Sequence, residues 1–365
     1  MEKAKISAYQ LFVMIVLFEL GSAVLVPIAS GAKQDAWIAI LVGMAGGFLL
    51  FGAHYRLYRY YPEITPIQYM QKLLGKFFGK LLAFSYIVLF MYFAARVLRD
   101  FGEMLLTFAY VETPLFIVNA MLIMVVVYAV IKGIEVLART GELFFLLLYL
   151  LAVIGFILIV SSGLIELTQL MPVLEEGWGR VLKVVATETI SVPFGEAVVF
   201  SMILPYLDNK DSGLGAGMFG LFVAGINLSI VMAINISVQG VEILTRSQFP
   251  LLTTVQSIQM AEFLERLDVF FMVSVIIGIF FKVSLYFYAA VSGTAILFNI
   301  KEPSRLVYPL GLVVLFMSIT IASSYSEHIK EGLGLMAKTL QPFFLVLVPV
   351  FLLGIAYLKN RKKQA

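Results

Sequence analysis

The chain has no cysteine, only two histidines, and few charges for its 365 residues, 13% in all. The missing cysteine excludes disulfides, thiolate metal sites and a cysteine nucleophile. His54 and His328 lie far apart at the edges of apolar runs, which argues against a histidine metal site and against a Ser-His-Asp triad. With no nucleophile or metal constellation, no enzyme, metal site or cofactor is expected. A net charge of +3 says little by itself, and no nucleic-acid partner is expected. There is also no room for a separate globular domain.

Apolar length takes the place of these features. Hydrophobic residues make up 61% of the chain and the mean hydropathy is +0.98. Runs of membrane-spanning length recur throughout, so the sequence predicts an all-α polytopic membrane protein. Ten spans are predicted, near residues 7–30, 36–55, 78–99, 114–131, 143–162, 181–205, 213–239, 269–298, 306–323 and 340–358. The third has room to extend to Phe108, because Arg96, Arg99, Asp100 and Glu103 recur at helical spacing and suit i, i+4 pairing. The first run has no small-residue cleavage site before it, so it is expected to stay as a span. Placing the N-terminus in the cytoplasm puts 16 Lys and Arg inside and 9 outside, with Lys282 left within a span. Both termini are therefore expected to be cytoplasmic. The tail from Lys359 to Lys363 suits an anchor to anionic lipid. Between Arg56 and Lys80, Pro62, Pro66 and four tyrosines suggest a short interfacial helix. Between Gln239 and Asp268, the spacing of Phe249, Leu252, Val255, Ile258, Phe263 and Leu264 suggests an amphipathic piece at the outer mouth: a lid, a partner surface or a passive loop.

Two spans are interrupted near their middles. Residues 187–196 read Thr-Glu-Thr-Ile-Ser-Val-Pro-Phe-Gly-Glu. Pro193 removes a donor and clashes with the preceding turn, and Gly195 loosens the backbone. Irregular backbone at that depth persists only where it is buried in protein or lines a cavity. Residues 18–27 read Phe-Glu-Leu-Gly-Ser-Ala-Val-Leu-Val-Pro, with Glu19, Gly21 and Pro27 arranged in a similar way. The two breaks are about half the chain apart, in spans one and six. Five spans per half would make the second half enter from the opposite side. The expectation is a 5+5 inverted repeat, with halves 1–163 and 178–365 and broken helices 1 and 6 in matching positions. The plainer alternative at residue 193 is a proline kink with Glu196 satisfied by a neighbour.

Glu19, Glu196 and Lys282 lie deep in spans. Lys282 is about 21 Å along a helix from its nearer end at 1.5 Å per residue, too far for its stem to reach the interface. The least costly arrangement sets Lys282 against one of the two carboxylates, Glu19 or Glu196, and a buried charge network joining Glu19, Glu196 and Lys282 across spans one, six and eight is expected. Such a network is either purely architectural or supplies a fixed positive charge where an ion-coupled transporter binds a cation. The breaks also suit a small zwitterion. N–H groups around Gly21, Ser22 and Ala23 would form a partly positive helix terminus for a carboxylate. Carbonyls near residues 190–193, with Glu196, would take an ammonium. Phe194 would cap the pocket, with Thr187 and Ser191 tuning the fit. Asn227 and Asn235 read as inter-helix hydrogen-bond formers.

The run Gly21-Ser22-Ala23-Val24-Leu25-Val26-Pro27 resembles the first-helix Gly-Ser-Gly-Ile motif of the amino acid–polyamine–organocation superfamily, with Ala23 in place of the second glycine. Together with the ten spans, the Pro193-Phe194-Gly195-Glu196 stretch and the basic tail, it resembles the B subunit of GerA-type spore germinant receptors, or spore permeases, over essentially the whole chain. That resemblance implies a LeuT-like fold, an amino acid or similar nutrient as ligand, partner subunits of A and C type, and the inner membrane of a bacterial spore. It also implies a site at Gly21, Ser22, Phe194, Gly195 and Glu196. A nutrient-sensing subunit and a proton-coupled amino acid transporter of the same fold both fit; in the second, Glu19 or Glu196 carries the proton.

Overall fold

Ser7 starts the first helix with a reciprocal cap. Its hydroxyl accepts from the Gln10 N–H at 3.1 Å, while the Gln10 side chain accepts from the Ser7 N–H at 3.0 Å. Helix α1 (Ala8–Leu20) then runs into the core and stops at Gly21. In this computed structural model, which describes residues 4–258 and 267–361, helices carry the whole architecture. Among the described residues the sole β feature is an isolated parallel bridge between Ile6 and Leu207.

The remaining helices follow the apolar runs. They are α2 (Ala36–Tyr60), α3 (Pro66–Leu74), α4 (Lys76–Phe108), α5 (Leu115–Lys132), α6 (Ile134–Ser161), α7 (Trp178–Val184), α8 (Gly213–Arg246), α9 (Pro250–Gln256), α10 (Leu267–Phe298), α11 (Ser304–Thr320), α12 (Tyr325–Ile329) and α13 (Val348–Arg361). Among the described residues, eight helical stretches are long and apolar enough to cross a membrane, and nine if α11 is joined to Tyr325–Met336 across a bend of 106°. Span one falls short by length, with 13 helical residues, because Gly21 ends it. Helix is found in each of the ten predicted spans, although in span one it covers only Ala8–Leu20 and in span six it is interrupted by turns at residues 190–193. α4 does extend to Phe108. The short helix expected after span two is α3, started by a Thr65–Gln68 capping box.

Span six is the most irregular. α7 gives way to a wide turn at Val185–Thr189, then to turns around a cis Val192–Pro193 bond, then to a tight 3-10 run over Phe194–Met202. Small residues on α2 receive this stretch. A Cβ on Gly46 would lie 2.7 Å from Ile190 Cγ1, and one on Gly47 would lie 2.6 Å from Phe194 Cβ. The broken backbone is therefore buried in protein, as its depth requires.

Both ends of the bundle are tied down. At one end, the Lys359 ammonium donates to the Leu73 carbonyl at 2.8 Å and Asn360 bonds the Tyr61 hydroxyl. The start of the basic tail thus caps the end of α3, while Lys362 and Lys363 lie outside the described residues. On the opposite face, the loop after α6 is clasped to the end of span one. Lys33 pairs with Glu176 at 2.9 Å, Gln34 bonds Glu175, and Arg180 donates to the Gly31 carbonyl. The Lys33 ammonium beside Glu176 holds that carboxyl below its usual range. On the same face α9 buries Leu252, Val255 and, at its edges, Phe249 and Ile258. Phe249 stacks on Tyr325 at 4.9 Å, so this segment is packed cover and not a passive loop. Phe263 and Leu264 lie outside the described residues. Asn235 and Gln239 both bond Thr254, and Asn227 donates to the Tyr149 hydroxyl at 2.9 Å, the inter-helix role expected of the two asparagines.

Candidate functional site

Two glycines bring α10 against the break in span one. A Cβ on Gly278 would lie 2.9 Å from the Gly21 Cα, and one on Gly21 would lie 2.8 Å from Lys282 Cδ. That contact lays the Lys282 stem across the break. Its ammonium reaches Glu196 Oε2 at 2.5 Å and sits 5.0 Å from the centre of the Phe18 ring. Both side chains are buried, 1% and 8% exposed. Tyr286, one turn beyond Lys282, interacts with the Glu196 carboxylate. The pairing expected for Lys282 is therefore made to span six. Glu19 is fully buried beside the pair and feels both charges, yet neither of its oxygens has a hydrogen-bond partner.

Next to the pair is a cavity of about 50 Å³. Ser22 and Val26 border it from span one, and Val192 and Glu196 from span six. Arg96 and Asp100 enter from α4, and His328, Gly332 and Gln341 form the far wall. At roughly 10–15 Å³ per water-sized probe, this holds a few waters or a small ligand.

The charges on α4 divide between two jobs. Arg99 pairs with Glu103 at 2.7 Å, the expected i, i+4 bridge, and donates to the Ile319 carbonyl at the end of α11. Arg96 and Asp100 have the same spacing but turn to the bent segment instead. Asp100 Oδ1 accepts from the Tyr325 hydroxyl at 3.1 Å and lies 3.1 Å from His328 Nε2. Arg96 donates to the His328 carbonyl at 2.5 Å and to the Tyr92 hydroxyl at 3.2 Å. His328 is thus a buried structural partner, although its sequence position suggested a span edge.

The other expected site residues are distributed less favourably. Gly21 and Ala23 do not line this cavity; the Gly21 N–H donates to the Leu17 carbonyl at 3.1 Å. The helix terminus expected there is absent. Residues 21–26 run as turns, the Ser22 carbonyl accepts from both Leu25 and Val26, and Pro27 has no N–H to extend a ladder. Thr187 is half-buried with its hydroxyl bonded back to the Lys183 carbonyl. Ser191 is buried and its N–H bonds the Glu188 carbonyl. Phe194 is turned onto Gly47 of α2 and so does not cap the cavity. Gly195 sits where a Cβ would lie 2.8 Å from the Ile190 carbonyl. Of the eight expected ligand residues, Ser22 and Glu196 are the ones that line the cavity. The sequence reading missed Arg96, Asp100 and Gln341 at the cavity, and Glu188 outside it. Glu188 Oε1 accepts from the Ala29 N–H at 2.6 Å, tying the two broken spans together. Its signal was a carboxylate within the broken stretch itself. Arg96 and Asp100 were visible as charges in an apolar helix.

A family model described as spore germination protein matches residues 5–326. Spore germination protein KB of Bacillus subtilis (strain 168) is 52% identical over 364 residues, covering 100% of this chain and 98% of its own length. From the same organism, spore germination protein YndE is 24% identical, covering 99% of each chain, and spore germination protein A2 is 23% identical, covering 86% of each. Among solved structures, the nucleobase-cation-symport-1 family transporter Mhp1 aligns with a TM-score of 0.66 at 13% identity, covering 96% of this chain and 78% of its own. MhsT, solved in complex with L-phenylalanine, aligns with a TM-score of 0.67 at 12% identity, covering 95% and 90%. The fold is thus that of the LeuT-like transporters.

Proposed function

The chain belongs to the spore permease family of spore germination proteins, the B subunits of GerA-type germinant receptors, and we propose that it senses a nutrient by binding a small zwitterion between broken helices 1 and 6. In this reading the protein is a multi-pass component of the spore inner membrane with both termini cytoplasmic. Its halves, 1–163 and 178–365, are inverted copies, the two breaks meet near the bilayer midplane, and A- and C-type subunits receive its output. The observation that carries the reading is the buried Lys282–Glu196 pair beside a small cavity bordered by both breaks. Broken spans of this fold class hold ligands and coupling ions at such places. Lys282 is a cation that cannot leave, which suits a binder more than a carrier. Germinants of the amino acid type fit the cavity's size and its mixed charge.

A second reading, a proton-coupled amino acid transporter, is favoured by Glu19, a buried carboxyl with no hydrogen-bond partner, as a proton carrier would be. Purified protein in liposomes separates the two. Counterflow of labelled amino acids and ligand-induced thermal stabilisation are read on one sample. Stabilisation without flux supports the sensor; flux of the stabilising amino acid overturns it in favour of the transporter.

A further inference from the structure

Arg96 has binding capacity that the fold does not use. The residue is 9% exposed, yet its ion pair, to half-buried Glu331, is long at 3.9 Å. Its hydrogen bonds to Tyr92 and His328 occupy two of the five donors a guanidinium carries. The same cavity is lined by an unpartnered acceptor, Gln341 Oε1, on a side chain 3% exposed. The segment around Gly332 is shaped to the guanidinium: a Cβ there would collide with Arg96 Nη2 and Cζ. Asp100, the other charge entering from α4, is already matched by Tyr325 and His328. One cavity therefore holds an under-used planar cation together with Glu196 and the unpartnered Gln341 carbonyl oxygen.

We propose that Arg96 is the carboxylate-binding residue of this site, so that the ligand is a small α-amino acid held by its carboxylate on Arg96 and by its ammonium toward Glu196 and Gln341. This rests on the reading that the cavity between the breaks is the ligand site, and it replaces the missing helix terminus at residues 21–23 as the anion holder. Arginine suits the task because its fork matches the two carboxylate oxygens, which an ammonium cannot do. A cavity of about 50 Å³ admits a glycine- or alanine-sized ligand and leaves little for a bulky side chain.

The test compares L-alanine with L-alaninamide, which keeps the ammonium and lacks the carboxylate, by thermal stabilisation of the purified full chain. The unaltered chain is expected to bind alanine at least tenfold more tightly than the amide. R96Q should weaken alanine about tenfold to a hundredfold, as the loss of hydrogen bonds to a charged group does, and leave the amide unchanged. E331Q should keep or tighten alanine binding. Where R96Q gives no folded protein, G332A displaces the guanidinium without removing it and should show the same selective loss. Retained discrimination in R96Q or G332A, or equal loss of alanine and the amide, overturns the assignment to Arg96 alone. An unaltered chain that ignores both and is stabilised by a neutral sugar overturns the zwitterion reading, and the Arg96 assignment with it.

Discussion

Replacing Lys282 with methionine tests the buried pair most directly. Methionine keeps most of the stem's packing on Gly21 and Phe18 and removes only the charge. What remains is a Glu196 carboxylate, 8% exposed, with its cation gone. Breaking a buried ion pair from one side costs about 3–5 kcal/mol, and a lone charge at the centre of a span costs about 2.5–3.5 kcal/mol on insertion scales. The two agree on about 3 kcal/mol or more, over a hundredfold in the unfolding equilibrium. Neutralising both partners removes that penalty, since buried pairs replaced by neutral groups are often no less stable. E196Q should therefore rescue K282M, with a coupling energy of about 3 kcal/mol. E19Q should not, because Glu19 makes no hydrogen bond and lies beside the pair without closing it. The assay is reversible unfolding of the four variants of the cycle in mixed micelles, with E19Q and K282M/E19Q as the third arm. Additivity of K282M and E196Q within about 0.5 kcal/mol would refute the pairing. Rescue by E19Q instead would move the pair to span one.

Three further outcomes are expected. E196Q in the otherwise unaltered chain leaves Lys282 without its carboxylate and should cost stability as K282M does, while the protein that folds should bind amino acid more weakly; unchanged affinity in a binding assay removes the ammonium role from Glu196. D100N leaves Tyr325 and His328 without their shared carboxylate, so the bent segment should loosen. Because the chain has no cysteine, a single one placed at Leu333 reports this directly: maleimide should react several-fold faster in D100N, and an equal rate counts against Asp100 holding the bent segment. E19Q should leave ligand-induced stabilisation in place and abolish any proton-driven uptake; loss of stabilisation would make Glu19 a ligand contact.

The sequence showed clearly whatever rests on one-dimensional pattern. Apolar runs located the helices, and Pro193, Gly195 and Gly21 located the breaks, because lipid tolerates no unpaired backbone without a tertiary reason. The isolation of Lys282 in its span forced a partner on it, and depth alone narrowed that partner to Glu19 or Glu196. The choice between them was not legible. It depends on Gly278 and Gly21 letting two backbones touch, a contact between residues far apart in the chain. The state of the chain after Gly21 was hidden for a related reason. Residues 22–26 are apolar enough for a helix, and turns won because Pro27 and the shared Ser22 carbonyl end the ladder. Phe194 read as a pocket lid because a large ring beside a break usually has somewhere open to go; the glycine face of α2 gave it a closed place instead. His328 and Gln341 gave no signal at all. Each sits at the margin of an apolar run, and for His328 only the bend of 106° after α11 folds that margin inward.

A sensor and a carrier on one fold differ in which charges must move. A carrier coupled to an ion releases that ion on the far side in every cycle, so the site's positive charge has to be mobile. Here the positive charge facing Glu196 is covalently attached, and its stem is pinned where α10 touches the first break. Any coupling must then pass through Glu19, the one carboxyl in the group that no hydrogen bond engages. A sensor has the opposite requirement: binding must change something that partners can feel. The wall of the cavity formed by His328 and Gly332 meets that need. It belongs to the bent segment, its ties to α4 are Asp100 and Arg96, and on its other side Tyr325 carries the packed α9. A ligand carboxylate that draws on Arg96 competes with the bond to the His328 carbonyl, and so bears on a segment continuous with the surface. Two states of that segment differing by a few kcal/mol are within reach of one charge-assisted contact. The fixed cation and the tethered wall thus both favour sensing, and Glu19 is the residue on which the carrier alternative stands or falls.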